Sequence, residues 1–70
     1  MNVYGITIKG KHPNLHNQRF YGVANSIEDA MKGGIDAAHM IGWDDIEVDD
    51  VSTIGQVDFV VPDFFEENSK

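Results

Sequence analysis

Seventy residues make one domain, whose core can hold little more than one sheet and one helix. With no cysteine in the chain, neither a disulfide framework nor a cysteine-based zinc site can supplement that core. A net charge of −7 disfavours direct binding of DNA or RNA, which depends on cations that neutralise phosphates.

The opening MNVYGITIKG lacks the basic flank and long apolar core of a signal peptide. No apolar run approaches the roughly 20 residues needed to cross a bilayer, so the expectation is a soluble, cytoplasmic protein without membrane contact. Val3 to Lys9 alternates, with Tyr4, Ile6 and Ile8 on one face, and predicts a first strand. Gly10 to Gln18, GKHPNLHNQ, carries Gly, Pro and Asn and predicts a loop. Arg19 to Ala24 predicts a second, antiparallel strand in which Phe20 and Tyr21 compete for the core and Gly22 marks a bulge.

Ser26 is placed to cap a helix, with Glu28 and Asp29 favoured at its positive end. Ile27, Ala30, Met31, Gly34, Ala37, Ala38 and Ile41 recur at helical spacing and define a buried stripe. Gly33 and Gly34 each cost about 1 kcal/mol against alanine inside a helix, which close approach to the sheet would offset. They lie within the helix and not before it, so they do not form a phosphate cradle. Gly42 is placed to end the helix in the left-handed conformation.

A third strand is predicted over Ile46 to Val51 and a fourth over Gln56 to Val61, ended by Pro62. The last segment, residues 63–70, is an acidic stretch expected to fray unless Phe64 and Phe65 tuck it back onto the sheet. The order is ββαββ: an α+β fold, with a four-stranded, mainly antiparallel sheet and one helix on one face.

The third strand sits in WDDIEVDDV, residues 43–51, where five carboxylates occupy nine positions without a cation. With Ile46 and Val48 facing the helix, Glu47 and Asp49 face the open side, joined there by Asp58 if Val57 and Phe59 are buried. Simple alternation would then turn Asp50 inward and Val51 outward, so a bulge is predicted near Asp49–Asp50. Like charges on adjacent strands oppose pairing by a few tenths of a kcal/mol each. Residues 33–69 hold ten acids and no lysine or arginine, a field that draws basic grooves and speeds encounter with them. Such acidity also serves plain solubility.

The run VANSIEDAM, residues 23–31, resembles the strand-to-helix junction of small phage-encoded inhibitors of host machinery, and IEVDDV resembles their next strand. These include anti-CRISPR proteins and the phage inhibitor of bacterial RNA polymerase. The resemblance implies a non-catalytic protein that blocks a host machine by occupying its surface. A weaker likeness is to small antitoxins, whose glycine-rich strand and Pro-Gly-Cys turn are missing here.

Chemistry finds little footing. His12 and His16 are four apart but in a predicted loop, so helical metal-ligand spacing does not apply, and His39 lies on the more polar side of the helix. The acids at 44–50 lack the glycine turn and terminal glutamate of a calcium loop. Ser26 and Ser52 have no histidine close by, and paired carboxylates need a pocket to raise one pKa. No enzyme activity and no cofactor are expected. Trp43 either closes the core or anchors an interface, and Tyr21, Phe64 and Phe65 pose the same alternative. The expectation is an inhibitor that occludes a basic, nucleic-acid-binding surface of a host protein or protein–nucleic-acid complex. Its partner-binding residues would be Trp43, Asp44, Asp45, Glu47, Asp49, Asp50 and Asp58. A homodimeric accessory protein or antitoxin-like module is the alternative, and histidine-dependent metal binding the third.

Overall fold

A computed structural model describes residues 1–11, 15–59 and 63–66. Four strands, β1 (Asn2–Lys11), β2 (Leu15–Ala24), β3 (Asp44–Gln56) and β4 (Phe65–Glu66), and one helix, α1 (Ile27–Met40), follow one another in the order ββαββ. The sheet order is β3-β1-β2-β4, with every neighbouring pair antiparallel. Since β2 and β3 both run against the central β1, they are parallel to each other, and α1 carries the chain between them as a split βαβ unit. Among the described residues, no helix is long and apolar enough to cross a membrane.

β1 supplies the core because its alternation turns Tyr4, Ile6 and Ile8 toward α1, and all three are buried. On β2 the register pairs Ile6 with Phe20 and Gly5 with Tyr21, so Phe20 joins the core and Tyr21 takes the open face. The β1–β2 ladder has no register shift, so the bulge expected at Gly22 is not there. Nor does the predicted loop begin at Gly10 or last to Gln18. Pairing continues through Gly10 with His16 and Lys11 with Leu15, because each further residue satisfies backbone groups whatever its polarity.

Ser26 caps α1 as expected: its Oγ accepts from the Asp29 backbone N–H at 3.2 Å. Ala30, Gly34, Ala37 and Ala38 are the helix's buried residues, a stripe of small side chains that lets backbone approach backbone. Ile27 and Ile41, also expected there, are 52% and 43% exposed: they sit at the helix ends, and Ile35 packs partly against the core instead. A Cβ on Gly34 would stand 3.3 Å from Ile6 Cγ2, so the glycine does mark close approach to β1. The helix stops in a Schellman motif, with Gly42 at φ 95°, its N–H on His39 C=O, and the Trp43 N–H on Ala38 C=O. That turn delivers Trp43 directly into the core, 2% exposed and edge-on to the Phe20 ring at 6.1 Å.

The fourth strand differs from expectation. Val57 to Phe59 are not strand, Phe59 is 60% exposed, and residues 60–62 lie outside the described residues. β4 is formed instead by Phe65 and Glu66, which pair with Tyr21 and Phe20 of β2. Asp63–Glu66 therefore follow the tucked alternative and not the frayed one, while residues 67–70 lie outside the described residues. The anchor is Phe64, packed against the core in the space left by two glycines. A Cβ on Gly22 would overlap its ring, and one on Gly33 would come within 2.6 Å of it. The Gly22→Ala variant should displace Phe64, with a loss of about 1–2 kcal/mol from surrendered apolar burial. Amide exchange at Phe65 and Glu66 should accelerate while the β1–β2 ladder stays protected. Unchanged exchange at both residues would mean that Phe64 does not hold β4.

Candidate functional site: the acidic outer strand

β3 is 13 residues long against ten in β1, and its excess is taken up by three irregularities of register. Ile8 pairs with Val48 and Thr7 with Asp50, which leaves Asp49 as an extra residue: the bulge that the side-chain alternation demanded. It returns Val51 to the helix side, where Ile46, Val48 and Val51 all pack partly buried against the core. Ile54 is left over between Val3–Gly55 and Tyr4–Thr53, and is 55% exposed. Near the start of the strand, Lys9 pairs with Glu47 and Lys11 with Asp44, so Gly10 faces two residues, Asp45 and Ile46. Asp45 takes a φ of 51°, a left-handed conformation that aspartate tolerates better than most side chains.

The carboxylates fall into three groups. Asp45 is ion-paired with Lys11 at 3.4 Å. Asp50 lies on the open face, where Arg19 Nη1 approaches at 3.8 Å and Ser52 Oγ donates to it at 3.4 Å. The carboxylates of Asp44, Glu47 and Asp49 are exposed and have no hydrogen-bond or ion-pair partner among the described residues, although Lys9 sits across the ladder from Glu47. Exposed pairs of this kind contribute only about 0–1 kcal/mol, so the strand keeps most of its negative field.

Asp44, Asp45, Glu47, Asp49 and Asp50 are therefore brought together along one outer strand. Asp58 is not: it is exposed, but beyond the end of β3 and outside any strand, because the predicted fourth strand does not form there. Trp43 does not belong to the surface either, since the Schellman turn buries it.

The alternation of Lys9, Lys11 and Arg19 was available in the sequence, yet their role depends on strand order. With β3 beside β1, the acids meet cations across the ladder and not a second acidic strand. Arg19 is the hub of the open face. It lies over Gly5, donates to Thr7 Oγ1 and Ser52 Oγ, each at 2.9 Å, and stands 5.6 Å from the Tyr21 ring centroid. Tyr21 in turn meets Phe65, 54% exposed, at 6.1 Å. The exposed aromatic of this face is thus Phe65, at the far side of the sheet from the acids. Among the described residues no three His, Asp or Glu side chains group as metal ligands, and the pairing of His12 with His16 falls outside what is described.

No protein-family description matches the chain, and neither a curated protein nor a solved structure matches it.

Proposed function

We propose that this chain is a small, acidic, non-enzymatic binding protein that occupies a basic surface of a partner protein and keeps nucleic acid from that surface. The observation that carries the reading is β3, an outer strand with five carboxylates, three of them without a partner among the described residues. A fixed field of one sign raises the rate at which a cationic groove finds the protein, and bulk then does the blocking. The resemblance of VANSIEDAM to phage inhibitor junctions supplies the further reading, that the partner is a host machine in the cytoplasm of an infected cell.

Capture from host lysate tests this over rising salt, with the native chain beside the triple variant Asp44→Asn, Glu47→Gln, Asp49→Asn. Binding by the native chain should fall steeply between about 50 and 300 mM salt, as charge attraction is screened. The triple variant should hold the partner at least about ten-fold less at low salt, equivalent to about 1.4 kcal/mol of lost attraction. A partner retained equally by both chains and at both salts would overturn charge mimicry.

A further inference from the structure

We infer that the outer edge of β3 accepts an added strand from the partner, a short segment in which basic and apolar residues alternate. The inference rests on the cationic partner proposed above and adds the manner in which it docks.

Three features lead there. First, β3 is outermost in the sheet, and among the described residues its backbone pairs on the β1 side only. A long edge of this kind presents unpaired N–H and C=O groups to any compatible chain. Secondly, the two faces of the edge differ chemically. Ile46, Val48 and Val51 turn toward the helix yet are only partly covered, so their outer flanks would gain burial beneath apolar side chains of an incoming strand. Glu47 and Asp50 turn to the open face, where an incoming strand would set every second residue beside them.

Thirdly, sign selects the occupant. A second copy of β3 would place carboxylates against carboxylates, which is destabilising, whereas each opposite-charge cross-strand pair contributes about 0.2–1 kcal/mol. Acids on an edge strand normally deter pairing, but they deter only strands that share their charge or lack any. The irregularities of register at Asp45–Ile46 and at Ile54 bound the usable edge, so the added strand is short and lies within residues 46–53, with the Asp49 bulge inside that stretch.

The probe is an eight-residue peptide of alternating lysine and valine, titrated into the native chain with backbone amide exchange as the readout. Two further forms carry N-methyl groups along one edge or the other, with charge unchanged, and a fourth replaces lysine with glutamine. The plain peptide should bind and slow exchange within residues 46–53. One N-methylated form should bind about ten-fold more weakly, the worth of one or two hydrogen bonds, and the glutamine form should not bind. If both N-methylated forms match the plain peptide, strand addition is overturned while the charge reading survives. If no peptide binds, or the free chain sediments as a dimer that shields β3, the proposed docking falls.

Discussion

Replacing Trp43 with alanine should remove most of the stability of the fold. Truncating a buried tryptophan costs about 3–5 kcal/mol, while a core of this size rarely supplies more than about 3–5 kcal/mol in total. Trp43 is 2% exposed, packs edge-on to Phe20 and closes the end of the core where the helix hands over to β3. The expected result is a thermal midpoint lowered by more than about 12 °C, since each kcal/mol shifts a domain of this size by roughly 4–8 °C. Trp43→Phe should recover a good part of the loss, because an aromatic ring still fills the site. Far-ultraviolet circular dichroism is the proper monitor, as the variant lacks the only tryptophan of the chain. An alanine variant that melts near the native chain but no longer captures a partner would return Trp43 to the surface role that its buried position denies it.

Gly34→Val should also be strongly destabilising, at about 2–3 kcal/mol by denaturant titration. Helix propensity alone argues the other way, since glycine is about 1 kcal/mol worse than alanine inside a helix. Packing decides the sign. Even a bare Cβ at Gly34 would lie 3.3 Å from Ile6 Cγ2 and 3.4 Å from Ile6 Cβ. Ile6 cannot yield easily, for it is fully buried and its branched side chain is stiff about χ1. Gly34→Ala should therefore fall within about 1 kcal/mol of the native chain, propensity and crowding offsetting each other. The two extra methyl groups of valine have no such offset. Native-like stability in Gly34→Val would mean that the helix rides higher above β1 than the structure places it.

Much of this architecture is legible in the amino-acid sequence. Strict alternation in VYGITIK fixed the inward face of β1, and Ser26 and Gly42 bounded the helix through capping chemistry local enough to be read from neighbours. The bulge at Asp49 was legible for a related reason: Ile46, Val48 and Val51 cannot share a face without one extra residue between them. The fourth strand was not, and the reason is tertiary. QVDFVV alternates as a strand should, yet periodicity cannot reveal that Phe64, seated between a glycine of β2 and a glycine of α1, draws a two-residue strand to the sheet further along. Strand order was equally hidden. The sequence shows Lys9, Lys11 and Arg19 and shows the acids of β3, but not that β1 lies between β2 and β3.

That placement of β1 bears on how the protein is made. As the chain leaves the ribosome, β1 can pair with β2 once Ala24 has emerged, but its other flank has no neighbour until β3 is complete at Gln56, about thirty residues later. At roughly 5–20 residues per second, Ile6 and Ile8 stay half-sheltered for a few seconds. The strand that finally closes this flank is the most negatively charged element in the molecule, so the acids arrive together with the cover and guard the finished outer edge against the like-charged edge of a neighbouring copy.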